Sequence, residues 1–551
     1  MNKWIIAVLV LVSGFQANDR NSSDIFIRVN QAGYLPNDIK IAVLFTNAEL
    51  SGAEFNLVNS VNNTIVLAGP LQGKSPGCEN FSFCYEIDFT DFHQSGGYYL
   101  QVRGRRSPEF RIHESTYDGM VDSLLLFFKV QRCGFTEPLL HKPCHYFDAT
   151  SVILDRAKLD EQVDVTGGWH DAGDYTKFLN TTAYATYTLL LAYQLNPIKF
   201  TTDADQNEIP DILDEAKIGL DWLLKLIYKN DRFIVQIQDL RDHAQGWRLP
   251  ENDKLLTDRP AFVGIGKNLI GIYSATMALA YRIWSNIPGG YAFADNCLTS
   301  AENMYSIHND VPDVDKSGSG GVYQDSKFQG KLALAAIELY LATGRQDYLK
   351  DAKRLADAAG SDYWWSWGDI NAYAHYRIAK IDTSFRKYLR DNLIFFQKQM
   401  NQHTFGEATR DTWGSNSTIL GVALQAILWK DLTGEATFDT LAVIQRDYIL
   451  GRNQWGVSFI YNIGTTFSKN FHSQVAWFNG NRLPGAVAAG SISRARLAGY
   501  NIPYQSPDIF EKFQTDGAVY RDDRMDYVTN EPTITANATA VFVMSYFSPP
   551  Y

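Results

Sequence analysis

Residues 210–229 read Pro-Asp-Ile-Leu-Asp-Glu-Ala-Lys-Ile-Gly-Leu-Asp-Trp-Leu-Leu-Lys-Leu-Ile-Tyr-Lys, with apolar side chains recurring every three or four positions. That spacing puts one apolar stripe along a helix. The stripe consists of Ile212, Leu213, Ala216, Leu220, Leu223, Leu224 and Ile227. Pro210 stands where the first turn of a helix accepts proline. The stretch therefore predicts an amphipathic helix that buries one face.

The same periodicity recurs along the chain from about residue 115 onward. The matching stretches are 119–131, 177–195, 262–285, 294–307, 329–343, 347–360, 383–400, 417–433, 437–450 and 535–547. Close to a dozen helices with little strand between them predict a large all-α domain over residues 114–551. Paired helices in such number are typical of a helical barrel or a solenoid. Periodicity is the same in both, so both stay open at this point.

Residues 24–113 have a different pattern, with short segments rich in β-branched and aromatic residues. Turn residues separate these segments at roughly ten-residue spacing, which is typical of a small β-sandwich. The predicted strands are Ile25–Val29, Ile41–Phe45, Glu54–Val58, Thr64–Ala68, Phe83–Phe89 and Gly97–Val102. We therefore expect an all-β domain ahead of the helical one.

The overall composition narrows the class of partner. A length of 551 residues favours two or more domains, or one large domain with a smaller neighbour. The net charge of −11 argues against binding to nucleic acid or to an anionic membrane surface. Aromatic residues make up 13% of the chain, which a large core explains and a sugar-binding cleft would also require.

The first residues, Met-Asn-Lys, precede an apolar run from Trp4 to Phe15. One positive charge followed by a short apolar run predicts a secretory signal peptide over residues 1–18. The run is too short to span a bilayer, and no other stretch is long enough to form a membrane helix. The sequence therefore predicts a secreted or periplasmic protein.

The chain has five cysteines, and an odd number leaves at least one unpaired in any disulfide scheme. They are Cys78, Cys84, Cys133, Cys144 and Cys297. Cys78 and Cys84 are close enough in sequence to close a short loop.

The segment from Gly167 to Tyr175 reads Gly-Gly-Trp-His-Asp-Ala-Gly-Asp-Tyr and holds two carboxylates, Asp171 and Asp174. Carboxylates three residues apart with small residues between them can converge on one water, and glycines allow tight turns. The alternative is that an aspartate here caps the predicted helix 177–195. Spacing alone favours capping.

A second acidic segment runs from Tyr520 to Ala538 and contains Asp522, Asp526 and Glu531. It ends at the start of the last predicted helix, so a charged loop with a capping glutamate is the alternative. A third segment, from Arg446 to Asn453, is followed by His472. A lone histidine is more often structural than catalytic.

Taken together and in this order, these segments resemble glycoside hydrolase family 9, the inverting cellulase family, over nearly all of the mature chain. Residues 27–36 resemble the start of the immunoglobulin-like domain found in one branch of that family, and residues 171–174 match its catalytic-base motif. The acid-site signature is matched by Tyr520, Asp522, Tyr527, Glu531, Thr533, Asn537 and Ala538. Residues 413–417 and 448–453 are further family-like strings. The resemblance implies an (α/α)6 barrel behind the β-sandwich.

The resemblance also implies a mechanism. Inverting hydrolysis needs two carboxyl groups about 6.5–9.5 Å apart, with a water between one of them and the sugar. Asp174 would deprotonate that water and Asp171 would hold it. Glu531 would protonate the leaving oxygen, which needs a raised pKa. Asp522 and Asp526 could help to hold Glu531.

A zinc site is implied by the same resemblance. Cys133, Cys144, His145 and His170 match the ligands of a structural zinc in the similar branch, and two thiolates with two imidazoles suit tetrahedral zinc. A Cys133–Cys144 disulfide with ordinary histidines is the alternative. Four protein ligands would make the site closed and structural, and His170 adjoins the loop of the base.

A calcium site is the second metal prediction. Asp203, Asp205, Asn207 and Asp211 carry oxygen ligands at alternating positions, near the Asp214-Glu215 pair. A polar loop with a helix cap is the alternative. We expect no organic cofactor.

The sequence departs from the family at the cleft. The family's Pro-His-His-Arg string appears as residues 471–474, which keeps His472 but places Gln474 where the arginine that contacts the −1 sugar would be. Replacing this arginine by glutamine removes a fixed charge and a planar set of N–H donors, which should weaken or redirect sugar binding. The Asp-Glu pair that usually follows the glycine-rich loop is Gly330-Lys331 here.

The predicted substrate-binding residues are His472, Tyr527, Trp247, Trp413 and Gln474. Burial in helix packing is the rival explanation for the two tryptophans. The expected partner is a β-glucan polysaccharide or oligosaccharide, and the expected oligomeric state is a monomer. Cellulose, mixed-linkage glucan, xyloglucan and glucosaminides all stay open, as do exo action and a binding protein that has lost catalysis.

Overall fold

A computed structural model of the chain describes residues 25–73, Cys78 and residues 80–549. The predicted signal peptide, residues 1–18, lies outside the described residues. No helix in the described part of the chain is long and apolar enough to cross a membrane.

The N-terminal part is a sandwich of two antiparallel sheets. Its strands are β1 (Phe26–Arg28), β2 (Ile41–Thr46), β3 (Glu54–Asn59), β4 (Ile65–Pro70), β5 (Gln72–Gly73), β6 (Phe83–Asp88), β7 (Gly96–Val102), β8 (Arg105–Arg106) and β9 (Phe110–Ile112). One sheet has the order β1-β2-β6-β5, and the other has the order β4-β3-β7-β8 with β9 also paired to β7. All six predicted strands are present, although several are offset by a residue or two.

Strand β2 shows how the sandwich joins the rest of the protein. Ala42 and Leu44 are buried in the core of the sandwich, whereas Val43 and Phe45 are buried in the core of the helical part. Successive side chains of a strand point to opposite faces, so β2 packs on both sides. Polar contacts support the junction: Asn30 Nδ2 donates to Asp447 Oδ1 over 2.7 Å.

The remainder of the chain is mainly helical. Its helices are α1 (Met120–Gln131), α2 (Leu179–Leu195), α3 (Asp211–Lys225), α4 (Arg241–Ala244), α5 (Lys267–Trp284), α6 (Tyr291–Ser306), α7 (Gln329–Thr343), α8 (Gln346–Ala359), α9 (Asn371–Ala379), α10 (Arg386–Gln402), α11 (Ser415–Thr433), α12 (Asp439–Ile449), α13 (Gln474–Phe478), α14 (Arg494–Ala498) and α15 (Ile534–Phe547). Helix α3 lies within the amphipathic stretch 210–229 and buries the predicted face, but it ends at Lys225, so Ile227 lies beyond it.

Six helices form a closed inner ring. Helix α2 packs on α5, α5 on α7, α7 on α9, α9 on α11, α11 on α15, and α15 returns to α2. The outer helices α1, α3, α6, α8, α10 and α12 each pack on the ring. The inner helices are buried on all sides, and in α15 every residue except Tyr546 is buried. The fold is therefore an (α/α)6 barrel, and the solenoid alternative is wrong.

The expectation of little strand between the helices is also wrong. A six-stranded sheet is formed by β10 (Ser151–Leu154), β11 (Ala157–Leu159), β12 (Lys177–Phe178), β13 (Ile227–Tyr228), β14 (Arg232–Ile237) and β15 (Pro260–Gly264). Its strands are two to six residues long and join segments far apart in sequence, so local periodicity does not reveal them. Two of them occupy positions predicted as the starts of helices 177–195 and 262–285.

Candidate active site

The loop that carries Asp171 and Asp174 precedes inner helix α2, and the loop that carries Glu531 precedes inner helix α15. Because α15 packs on α2, the two loops meet at one end of the barrel. The Gly173 N–H donates to Glu531 Oε1 over 3.1 Å, across 358 residues of sequence. The Ile534 N–H donates to the Asp171 carbonyl oxygen over 3.0 Å. The two acidic motifs therefore form one site.

Gly173 makes this close approach possible. A Cβ at residue 173 would lie 2.0 Å from the His472 carbonyl oxygen and 3.1 Å from Glu531 Oε1. The Gln474 N–H donates to the Gly173 carbonyl oxygen over 3.1 Å, which ties a third loop to the other two. Any larger side chain at residue 173 would push the loops apart.

Asp174 lies at the edge of the site, with its side chain 15% exposed. Thr176 donates to Asp174 Oδ1 from its backbone N–H over 2.9 Å and from its hydroxyl over 2.6 Å. His243 Nε2 donates to Asp174 Oδ2 over 2.6 Å. Burial favours the neutral carboxyl, but the hydrogen bond and charge of His243 outweigh it and lower the pKa of Asp174 to about 2. Asp174 is therefore ionised at neutral pH.

Asp171 is fully buried behind Asp174. Neither of its oxygens has an aligned hydrogen-bond partner among the described residues. Burial raises the pKa of Asp171 to about 6, against the opposing effect of the hydroxyls of Thr181 and Tyr323. A buried carboxylate with free lone pairs is suited to hold a water.

The pKa of Glu531 is shifted in the opposite direction from that of Asp174. Burial, together with the negative charge of Asp174, raises the pKa of Glu531 to about 8. Glu531 is therefore protonated at neutral pH while Asp174 is ionised. Two carboxyl groups whose environments push their pKa values apart are the usual arrangement of a general acid and a general base.

Both acidic segments contradict the capping alternative. The residue that precedes α2 is Phe178, which makes no side-chain cap, and Asp174 accepts from Thr176 instead. Helix α15 is capped by Thr533, whose hydroxyl accepts from the Ala536 N–H. Neither Asp174 nor Glu531 is needed to begin a helix.

Asp522 lies next to the site, and no hydrogen bond joins it to Glu531 in the described part of the chain. Its carboxylate accepts from the Asn470 N–H over 2.8 Å and from Asn530 Nδ2 over 3.3 Å. It therefore holds the residue before Glu531 rather than the glutamate itself. Asp526 accepts from the backbone of Val528 and Thr529 and shapes the turn that leads to Glu531.

Four of the five residues predicted to bind substrate lie along one wall of aromatic rings. The His472 ring lies 5.3 Å from the Trp247 ring and 5.8 Å from the Tyr527 ring. Tyr527 lies 5.7 Å from Trp413, which is 45% exposed. Because Trp413 is exposed, burial in helix packing does not explain it.

Gln474 is placed differently from the other predicted contacts. Its side chain is 6% exposed, and its Oε1 accepts from the Arg248 N–H over 3.1 Å. Arg248 is itself paired with Asp242 and Asp253. The amide oxygen of Gln474 therefore serves a loop and is not available to a sugar.

His243 is the site residue that the sequence did not single out. The strands explain its position: β12 follows the Asp174 loop and pairs with β14, which leads into α4 and His243. Its side chain is 56% exposed, and the hydrogen bond to Asp174 raises the pKa of His243 to about 9. The only signal in the sequence is that His243 lies in the same stretch as Trp247.

Cys133, Cys144, His145 and His170 form a buried group whose ligand atoms all lie within 4.8 Å of one another. The two Sγ atoms are 4.0 Å apart and both cysteines are free, which contradicts the disulfide alternative. His145 Nε2 lies 3.0 Å from Asp253 Oδ2, which leaves His145 Nδ1 facing the group. A carboxylate behind a ligating histidine is the usual second layer of a metal site. The donor set fits a tetrahedral metal.

The remaining predictions concern the other three cysteines and the calcium loop, and their outcomes differ. Cys78 and Cys84 form a disulfide, and Cys297 is free and buried. The loop 203–211 bonds to itself: Asp203 accepts from the Asn207 and Glu208 N–H groups. Its acidic oxygens do not form a convergent cluster in the described part of the chain. Calcium binding by Asp203, Asp205, Asn207 and Asp211 stays a prediction.

Comparisons with known proteins agree with this geometry. Residues 117–544 match the family model described as glycosyl hydrolase family 9, and residues 23–107 match the cellulase N-terminal Ig-like domain. Endoglucanase D of Acetivibrio thermocellus is 24% identical, over 97% of this chain and 85% of its own length. A xyloglucan-specific endo-β-1,4-glucanase of Bacteroides ovatus is 26% identical, over 98% and 97%. The crystal structure of a metagenome-derived family 9 endoglucanase has a TM-score of 0.81 at 26% identity and covers 95% of this chain and 99% of that one.

Proposed function

The chain belongs to glycosyl hydrolase family 9, and we propose that it cleaves β-1,4-glucosidic bonds of a β-glucan with inversion at the anomeric carbon. The observation that carries the proposal is the pairing of a protonated Glu531 with an ionised Asp174 in two loops that are joined by hydrogen bonds. The similarity to an endoglucanase and to a xyloglucan-specific endoglucanase supports a β-1,4-glucan as substrate.

Glu531 is the general acid in this proposal. Because its pKa is raised to about 8, it carries a proton at neutral pH and donates that proton to the glycosidic oxygen as the C1–O bond breaks. Gly173 supports the role by fixing Glu531 Oε1, which leaves the other carboxyl oxygen to face the leaving group.

Asp174 is the general base. It accepts a proton from the water that attacks C1 on the face opposite the leaving group, which gives inversion. Asp171 orients that water through its buried carboxylate, whose oxygens have no aligned hydrogen-bond partner among the described residues. After one turnover Asp174 is protonated and Glu531 is ionised, and proton exchange with solvent restores the starting state. Two carboxyl groups in complementary states argue against a binding protein that has lost catalysis.

The aromatic wall of Trp247, His472, Tyr527 and Trp413 suits the apolar faces of glucose rings. We propose endo action, with exo action as the second candidate. Since a polymeric glucan lies outside the cell, we also propose that the enzyme is secreted or periplasmic.

A substrate panel with product analysis tests the proposal. Purified enzyme should release a range of oligosaccharides from soluble β-1,4-glucans or xyloglucan. Proton NMR of the first products should show the α-anomer before mutarotation. A first product that is the β-anomer would contradict inversion, and one small product from the start would favour exo action.

The site predicts a pH profile that depends on His243. His243 is charged at neutral pH and lowers the pKa of both Asp174 and Glu531. The wild-type kcat/KM should fall as pH rises through about 8, where Glu531 loses its proton. In His243→Gln the pKa of both carboxyl groups should rise, so the alkaline limb should move to higher pH.

The control for this experiment is His93→Gln in the N-terminal sandwich. His93 is exposed and bonded to the Pro36 carbonyl oxygen, so its loss should leave the profile unchanged. An alkaline limb that stays in place in His243→Gln would show that His243 does not act on the catalytic pair.

We also propose that Cys133, Cys144, His145 and His170 hold a structural zinc, which would brace the loop of Asp171 and Asp174. When bound, the metal would fix the two cysteines and two histidines in one tetrahedral arrangement. Purified protein should contain about one zinc per chain by elemental analysis, in line with a single four-ligand site. Cys133→Ser should lose the metal and unfold at a markedly lower temperature, because metal binding contributes to folding.

Cys297→Ser is the matched control for the zinc experiment, since Cys297 is a buried free cysteine outside the group. It should retain zinc. Wild-type protein that contains no zinc, or Cys133→Ser that retains a full equivalent, would rule out this site.

A further inference from the structure

Arg524 lies beside the catalytic loops, and its guanidinium stacks on an aromatic ring. Its guanidinium carbon lies 3.6 Å from the centre of the Trp477 ring. Over residues 25–73, Cys78 and 80–549, no carboxylate or carbonyl oxygen accepts a hydrogen bond from this side chain. A guanidinium has five N–H donors, so Arg524 retains its hydrogen-bonding capacity for a ligand or for water.

Contacts through His472 and Trp247 connect Arg524 and Trp477 to the loop that carries Asp174. The Arg524 carbonyl oxygen accepts from His472 Nδ1 over 2.7 Å, and the Trp477 ring lies 6.2 Å from the Trp247 ring. The backbone of His472 packs on Gly173, the neighbour of Asp174. Arg524 and Trp477 therefore continue the aromatic wall of the site.

Exposure separates this pair from ordinary core packing. Trp477 is 42% exposed, although it lies in a short helix whose first three residues are buried. An indole edge open to solvent with a cation on its face offers both an apolar surface and directed donors. Sugars present the matching combination of C–H faces and hydroxyl oxygens.

Arg521, three residues earlier, shows what a structural arginine looks like in the same segment. Its guanidinium lies 3.7 Å from the Tyr504 ring, and its Nη2 also donates to the Ser506 carbonyl oxygen over 2.8 Å. Arg521 thus stacks and bonds within the protein, whereas Arg524 only stacks. The contrast indicates that the donors of Arg524 are kept for something outside the chain.

We propose that Arg524 and Trp477 form a sugar-binding pair for the glucan, in which Arg524 donates hydrogen bonds to hydroxyl oxygens of a glucosyl residue lying against Trp477. The inference rests on the proposed function and names a specificity-determining contact for it. Bound sugar would replace the water that solvates the guanidinium, with little loss of rotamer freedom because stacking already holds the side chain.

Two measurements test the pair. The first is steady-state kinetics on a series of neutral β-1,4-gluco-oligosaccharides. Arg524→Met should raise KM about tenfold with a much smaller change in kcat, the size expected for losing a hydrogen bond to a charged donor. Arg524→Lys should recover only part of the loss, since lysine lacks the planar fork. Arg521→Met, the matched control, should leave KM unchanged.

The second measurement is calorimetric binding of the same oligosaccharides to Glu531→Gln with and without Arg524→Met. It separates this inference from the proposed function. If the wild-type enzyme hydrolyses no β-glucan, the proposed function is wrong, and the inference that depends on it is wrong too. If the wild-type enzyme hydrolyses the glucan and Arg524→Met changes neither KM nor binding, only the inference fails.

Two further outcomes would contradict the proposed role of Arg524 and Trp477 in sugar binding. A lower unfolding temperature in Arg524→Met with unchanged KM would show that the guanidinium only covers the indole. A loss confined to carboxymethylated glucan, with neutral oligosaccharides unaffected, would show general charge attraction in place of hydroxyl recognition.

Discussion

Glu531→Gln is expected to lower kcat on an unactivated β-1,4-glucan by about 10²–10⁴-fold while the protein folds normally. Glutamine keeps the shape of the side chain and an oxygen that can accept from the Gly173 N–H, but it has no proton to give. Folding should survive because the native Glu531, with its pKa raised to about 8, is already neutral in its buried position. The measurements are kcat on a soluble β-1,4-glucan and the unfolding temperature.

A substrate with a better leaving group tests directly whether Glu531 supplies the proton. An aryl glycoside with a strongly acidic phenol as leaving group needs little protonation, so Glu531→Gln should lose far less activity on it. Glu511→Gln, at an exposed residue of the same region, is the matched control and should behave as wild type. Equal losses on both substrates would show that Glu531 is not the general acid.

Asp174→Asn is expected to cause a loss of similar size that no leaving group relieves. The attacking water needs a base whatever the leaving group is, and asparagine does not accept a proton at neutral pH. The variant should fold, because the amide oxygen of the introduced asparagine can still accept from the Thr176 N–H and the lost ion pair with His243 is partly exposed. The measurement is kcat on the glucan and on the aryl glycoside in parallel.

Azide distinguishes a lost base from a damaged site. It is a nucleophile that needs no deprotonation, so in Asp174→Asn it should attack C1 directly and form an α-glycosyl azide while Glu531 protonates the leaving oxygen. Asp155→Asn, at an exposed residue in the hairpin of the same domain, is the control and should be unaffected. Near-normal hydrolysis by Asp174→Asn without azide would refute the assignment.

Much of the fold could be predicted from the sequence because its elements are strongly periodic. The apolar stripe on α3 indicates one buried face, and the continuous apolar run of β2 indicates a strand that is buried on both faces. Errors arose where structure depends on distant partners. Strand β12 has two residues, and Lys177 is paired with Ile237, far away along the chain. No local pattern marks such a strand.

The candidate site was predictable in its residues but not in its electrostatics. Motif order pointed to Asp171, Asp174 and Glu531, although spacing alone favoured helix caps. No sequence pattern marks Arg524, and only its place in the same stretch as Trp247 marks His243. The proposed role of each depends on a partner on another segment, Asp174 for His243 and Trp477 for Arg524. Gln474 is the opposite case: the family motif predicts that it contacts the sugar, but its amide oxygen accepts a hydrogen bond from the Arg248 N–H and holds a loop.

From the sequence alone it was possible to predict the strands of the sandwich, most helices of the barrel and the candidate carboxylates, but not inner helix α9 or the six-stranded sheet. The tertiary structure alone decided what those carboxylates can do. Closure of the helical ring brings α15 back to α2 and sets Glu531 against Gly173. Burial and the nearby charge of Asp174 then keep Glu531 protonated, while His243 keeps Asp174 ionised. A pKa depends on the groups that surround a side chain in space, and only folding assembles those groups.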